Sequence, residues 1–225
     1  MNKLEELYEK YGTDKGIDPS FCNGESKGHE YGLFYYDYFR PYLDKNPAIL
    51  EIGVFEGKSM LAHNEFFNSN CTLVGIDAYE SLTFDISKYP NMYFYADGSE
   101  ADTTLDAMKN FKFDIIIDDA VHTYDNQLFN LLYYPQFLKD DGIYIIEDLQ
   151  CNIDHTYLSN PEYGLLNSTF DVLFRRNKSA LLSDEQYNQI SHSIDSIILW
   201  AKTENPDNCY KLNQVSMAAV IKFKH

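Results

Sequence analysis

The chain has no apolar run approaching the roughly 20 residues that a membrane-spanning helix needs. Its opening stretch, Met1–Tyr8, is amphipathic and lacks the apolar core of a secretory signal. Cys22, Cys71, Cys151 and Cys209 never form a Cys-x-x-Cys pair, which speaks against the common zinc and dithiol motifs. Scattered thiols of this kind fit a reduced, cytoplasmic protein. Basic charge is also short: 18 Lys and Arg stand against 35 Asp and Glu, a formal charge of −17 over 225 residues. A field of that sign disfavours nucleic acid and anionic membranes as partners and tolerates cations. Neither internal repeats nor low-complexity segments are present.

What the chain does have is a rhythm that changes near residue 47. Before it, Leu4, Leu7, Tyr8 and Tyr11 recur at helical spacing, predicting a helix over 2–11. Gly12–Gly16 ends that helix and a polar loop through Pro19, Gly24 and Gly28 follows. A second, aromatic helix is expected from Tyr31 up to Pro41. After it, Ala48–Gly53, Thr72–Asp77, Met92–Ala96, Phe113–Asp118 and Gly142–Glu147 read as strands. Helical patterns separate them at Lys58–Asn68, Glu100–Asn110 and Tyr124–Lys139, with Pro135 expected to break the last. Beyond 150 the alternation lapses, then resumes with a helix at Ser183–Ser193 and strands at Ser196–Lys202 and Met217–Phe223. Alternating strand and helix means parallel strands joined by right-handed crossovers. The expected fold is therefore α/β: a doubly wound, mostly parallel, seven-stranded Rossmann-like sheet with an antiparallel last strand, plus an N-terminal helical segment. Residues 1–46 are expected to form a helical arm or lid and 47–225 one compact ligand-binding domain.

Two strand ends carry most of the chemistry. Phe113–His122 and Gly142–Asp148 are short apolar runs, each closing on adjacent acids. On neighbouring strands those ends lie about 5 Å apart. Asp118, Asp119, Glu147 and Asp148 would then crowd one sheet edge together with His122. Such a cluster repels itself unless protons or a cation relieve it, which points to a divalent-metal catalytic site. Adjacent strand residues face opposite ways, so Glu147 and Asp148 can share an ion only if the strand ends or bends there.

The ligand-binding signals lie at the other strand ends. Leu50-Glu-Ile-Gly-Val-Phe-Glu-Gly-Lys-Ser59 joins a strand to a helix, and Gly53 and Gly57 allow a tight turn and close ligand approach. Where a dinucleotide loop wants glycine this one has Phe55, followed by Glu56. A ring and a negative charge there disfavour a pyrophosphate and suit a phosphate-free cofactor with a positive centre. Asp77, 20 residues past Gly57, is placed to accept from ribose hydroxyls, or else caps a helix or loop. Asp97 ends the third strand, where it either meets an adenine amino group or makes a plain turn with Gly98. With Glu51, these acids lie along the carboxyl edge where open parallel sheets bind ligands.

Taken together, these residues resemble a class I S-adenosylmethionine-dependent methyltransferase, and within that class the macrocin-type O-methyltransferases of macrolide sugars. The resemblance rests on Tyr11-Gly-Thr-Asp-Lys-Gly16 with His29-x-Tyr31, on Glu51–Gly57, on Asp118-Asp-x-x-His122 with Gln127, and on Ile146-Glu-Asp-Leu149. It implies S-adenosyl-L-methionine and Mg²⁺ as cofactors, Asp119, Glu147 and Asp148 as magnesium ligands, and His122 as general base. The acceptor would be a hydroxyl of a sugar, nucleotide sugar or glycoside, and relatives often self-associate. The chain departs from the family pattern in having Ala120-Val121 where Gly-Ser is usual, and Asn126 where a histidine is usual.

Further roles follow from position. Asp118, facing away from Asp119, is expected towards the methionine end of the cofactor. Thr13, Asp14 and Lys15 could fold over the cofactor, Lys15 meeting its carboxylate, or simply stop the helix. His29 and Tyr31 would reach the acceptor or pack, and Gln127 is grouped with them as a substrate contact. Arg175-Arg176 could serve an anionic acceptor or stay solvated. Two other readings keep the fold: a methyltransferase for catechol-like diols, and a non-catalytic protein that retains cofactor affinity.

Overall fold

A computed structural model describes residues 2–17, 28–152, 167–203 and 215–224. Pro19, Cys22, Gly24 and Cys209 lie outside the described residues. The sheet has seven strands in the order β3-β2-β1-β4-β5-β7-β6, formed by β1 (Ala48–Ile52), β2 (Thr72–Asp77), β3 (Met92–Ala96), β4 (Phe113–Asp118), β5 (Leu138–Ile146), β6 (Ile194–Thr203) and β7 (Val215–Phe223). The pairs β1–β2, β2–β3 and β4–β5 are parallel, whereas β7 runs antiparallel to both β5 and β6. This is the expected Rossmann-like architecture with its antiparallel closing strands. No helix among the described residues is long and apolar enough to cross a membrane.

The chain divides into two compact units, 1–104 and 105–225. The expected boundary at 46/47 falls inside the first unit, so the front segment shares a unit with β1, β2 and β3. There Asn2 caps helix α1 (Lys3–Tyr11), accepting from the Leu4 and Glu5 N–H groups at 2.9 Å. Gly12, at φ 70°, closes the helix in the left-handed region. Leu4, Leu7 and Tyr8 are buried, and α1 packs on helices α2 (Gly32–Phe39) and α3 (Lys58–Phe66). Helix α2 stops at Phe39, and Pro41, which has no N–H to give, sits in a 3-10 turn over Arg40–Tyr42.

Helix α4 (Asp102–Met108) follows β3. The second unit corrects one element. The helix expected over Tyr124–Lys139 ends at Tyr133 (helix α5, Tyr124–Tyr133), and Pro135 opens a 3-10 turn. Strand β5 then starts at Leu138, four residues before the expected Gly142, because Leu138 pairs with Phe113 beside an irregularity in the β4–β5 register. Lys139 is thus a strand residue, bonded at 2.7 Å to Asp114 of β4. Helix α6 (Asp184–Ser193) begins on Ser183 with a reciprocal capping box to Gln186.

Candidate functional site

In the first unit, the loop after β1 is tied to the end of β2. Gly53, at φ 85°, donates to the Ile76 carbonyl at 2.8 Å. The Val54 and Phe55 N–H groups both donate to Asp77 Oδ2, at 3.1 and 2.8 Å, and the Tyr79 N–H donates to Oδ1 at 3.1 Å. Asp77 therefore holds the loop in place as it stands. Phe55 itself lies at φ 46° with its ring 63% exposed, a conformation that β-carbon sterics disfavour. Gly57 is at φ 75°, and a β-carbon there would come within 2.6 Å of the Leu82 and Phe84 side chains, so any other residue would be strained. Asp97 accepts from the Gly98 N–H and the Thr103 hydroxyl; those bonds, the Thr103 one foremost, lower its pKa.

Behind this loop runs a buried polar chain. Glu51, at the end of β1, lies with one oxygen 3.6 Å from Lys15 Nζ and the other 3.7 Å from His63 Nδ1. His63 Nε2 is 3.0 Å from the Tyr8 hydroxyl. All four residues are essentially inaccessible. Burial pushes the Glu51 pKa up, with the Lys15 charge pulling it back, and burial together with Lys15 lowers His63 to about 3. Lys15, expected to meet a cofactor carboxylate, is paired with Glu51 here. Thr13 is buried too, and its hydroxyl accepts from the Lys15 N–H at 3.4 Å. His29 and Tyr31 fasten the same loop: their N–H groups donate to the carbonyls of Asp14 and Lys15 at 2.7 and 2.8 Å. Their rings stack at 5.2 Å, and Tyr31 is fully buried.

In the second unit the strand ends converge. Strand β5 stops at Ile146, and Asp148 takes φ 54°, which supplies the bend the sequence demanded. His122, just before α5, also lies in the left-handed region at φ 57°. One donor atom each from Asp119, His122 and Asp148 lie within 4.8 Å of one another. His122 Nε2 stands 3.4 Å from Asp148 Oδ2 and 3.9 Å from Asp119 Oδ1. Glu147, expected as a third carboxylate ligand, is buried and is not among those three residues. Its backbone extends the ladder by donating to the Asp118 carbonyl at 2.9 Å. Gln150 steadies Asp148, donating to Oδ1 at 2.9 Å.

Asp118 lies deep at the end of β4. It is 1% exposed, and its oxygens accept from Asn130 Nδ2 at 3.0 Å and the Tyr144 hydroxyl at 2.7 Å. Burial pushes its pKa up to about 6 against the pull of those two bonds. Its carboxylate is thus held by core side chains of the second unit. Gln127 is also buried, its Nε2 3.4 Å from the Glu147 carbonyl. Asn130 and Tyr144, like His63 and Tyr8 in the first unit, escaped the sequence reading. Asn130 had a signal: it is one helical turn from Asn126, to which it donates at 3.3 Å, on a face where apolar residues were due.

No protein-family model matches the chain, and no curated protein matches it by sequence. Solved structures do. MycE, a methyltransferase from the mycinamycin biosynthetic pathway solved with Mg and SAH, matches at TM-score 0.67 and 19% identity over all of this chain. This chain spans 55% of the length of MycE. TomG, an O-methyltransferase from Streptomyces achromogenes solved with SAM, matches at TM-score 0.58 and 11% identity, covering 98% of this chain and 90% of TomG. An O-methyltransferase from Bacillus cereus solved with SAH matches at TM-score 0.55 and 14% identity, covering 98% and 90%. These likenesses define the class by its fold, a Rossmann-like methyltransferase fold.

Proposed function

We propose that the chain is an O-methyltransferase that moves a methyl group from S-adenosyl-L-methionine to a hydroxyl of a small molecule, a sugar or related polyol. The observation that carries this reading is the convergence of Asp119, His122 and Asp148 at the β4 and β5 ends of a methyltransferase fold. Two carboxylates and an imidazole so close together suit a divalent cation by the chemistry of their donors. When bound, the cation would lower the pKa of the acceptor hydroxyl and orient it. MycE has also been solved with Mg, SAH and mycinamycin VI together, which supports a small-molecule acceptor and Mg²⁺.

The remaining work falls to the chain's own groups. Phe55 and Glu56 turn away a pyrophosphate, leaving the loop between Gly53 and Gly57 to a nucleoside without phosphate. Asp77 keeps that loop shaped through the Val54 and Phe55 N–H groups, with ribose contact as its proposed second duty. Lys15 and Glu51 hold the Gly12–Gly16 loop against β1. In the transfer, the sulfonium C–S bond breaks as the C–O bond forms, and the acceptor proton must leave. The resemblance casts His122 as the base. Its ring stands among the cation's donors, so its removal should cost turnover whichever service it gives. The acidic charge disfavours a nucleic acid as the acceptor.

Calorimetry with S-adenosylhomocysteine, with and without Mg²⁺, tests the proposal. Uptake of both supports it; no affinity for S-adenosylhomocysteine would overturn it. Uptake of the nucleoside with no cation uptake would favour the non-catalytic reading, for which Ala120, Val121 and Asn126 speak.

A further inference from the structure

We infer that His63 is a positioning residue of the cofactor site: held by the Tyr8 hydroxyl, it aims a ring N–H at Glu51 and keeps that buried acid ionised for the cofactor's ammonium. The inference rests on the methyltransferase reading above and adds to it two residues that belong to no motif. Glu51 stands two places before Gly53, where the loop given to the cofactor begins. Its oxygens are buried and neither closes a hydrogen bond. Lys15 Nζ stands 3.6 Å from one and His63 Nδ1 3.7 Å from the other. A carboxylate held so loosely keeps acceptor capacity for a further donor, and an ammonium is the donor that its charge favours.

The His63 ring has one proton to place. Burial, with the Lys15 charge, lowers its pKa to about 3, so near neutral pH the imidazole is uncharged and carries a single N–H. Its Nε2 is 3.0 Å from the Tyr8 hydroxyl. With the proton on Nε2, the Nδ1 lone pair would face a carboxylate, and two acceptors would repel. With the proton on Nδ1, the N–H faces Glu51 and Nε2 accepts from Tyr8. Only the second arrangement suits both ends, so the neighbour on one side sets what the ring offers on the other. Tyr8, Tyr35 and Phe39 pack round the ring, with centroids 5.8, 6.0 and 5.0 Å away. Burial opposes the ionised form of Glu51 most; Lys15 and Ser59 favour that form, and Asp14 opposes it. Opposite Glu51 on β2 is Gly75, which adds no charge. Helix α1 thus bears on the cofactor through His63, by way of Tyr8.

The test is calorimetry of S-adenosylhomocysteine, which keeps the ammonium, on the whole chain from about pH 5 to about pH 8. Wild type is compared with His63→Leu, His63→Asn and Tyr8→Phe, and each variant is also unfolded in urea. Affinity should fall on the acid side as Glu51 takes up a proton. In His63→Leu that fall should move to higher pH, weakening binding about tenfold near pH 6 and little near pH 8. His63→Asn, whose amide nitrogen takes the place of Nδ1, should restore most of the wild-type profile. Tyr8→Phe should move the fall the same way, by less. A purely structural role would lower stability and leave the pH profile where it was, and that outcome in His63→Leu would overturn the inference. A profile in His63→Asn shifted as far as in His63→Leu would overturn it too. Should His63→Leu show no cooperative unfolding, Tyr8→Phe decides, and an unmoved profile there overturns the inference. Failure of the wild type to bind S-adenosylhomocysteine at any pH would instead count against the methyltransferase reading itself.

Discussion

Single residues carry constraints that can be tested one at a time. Gly57 is held at φ 75° with two side chains where a β-carbon would go. Gly57→Ala should cost about 1–2 kcal/mol or more in urea unfolding and weaken S-adenosylhomocysteine binding, since the loop shape goes with it. Tyr144 donates to a fully buried carboxylate at 2.7 Å. Tyr144→Phe should cost about 1.5–3 kcal/mol in the same measurement, because Asp118 keeps its burial and loses a donor. An unchanged midpoint in that variant would mean that the bond contributes nothing.

The elements show what could and could not be seen beforehand. Strands β2, β3 and β4 were legible at their observed limits, since short apolar runs between polar or glycine-bearing stretches have few other uses. The start of β5 was not. Lys139-Asp-Asp-Gly142 looks like a turn, and only its pairing across to β4 makes it strand. The acids at 119 and 148 were legible as chemistry. The left-handed backbone at His122 and Asp148, whose side chains come within 3.4 Å, was not, since no propensity scale foretells it for these residues.

The joint between α1, α3 and β1 was equally hidden, since Tyr8, Lys15, Glu51 and His63 meet only after folding. It carries a pH prediction. His63 stays neutral in the folded chain down to about pH 3, whereas in the unfolded chain it takes up a proton near pH 6.5. The stability it contributes is therefore whole above about pH 6.5 and is lost as pH falls towards 3, by at most about 1.4 kcal/mol per pH unit. Glu51, whose pKa is raised, works the other way, because acidification relieves its burial. The difference between wild type and His63→Gln isolates the histidine. The stability advantage of the wild type should shrink across that window in urea titrations, and a pH-independent difference would contradict it.

At the scale of the whole molecule, the fold confines function to the carboxyl ends of its parallel strands, and the sequence places its acids there. Each unit holds part of the proposed machinery: the loop from Gly53 to Gly57 in one, the donors Asp119, His122 and Asp148 in the other. The account depends most on those donors holding a cation. Calorimetric titration of Mg²⁺ and Mn²⁺ into the S-adenosylhomocysteine-loaded chain, compared with Asp148→Asn, tests it most directly. Saturable uptake of one cation per chain that is weakened at least about tenfold by the substitution is the expected result. Uptake that is absent, or that Asp148→Asn leaves unchanged, would contradict it.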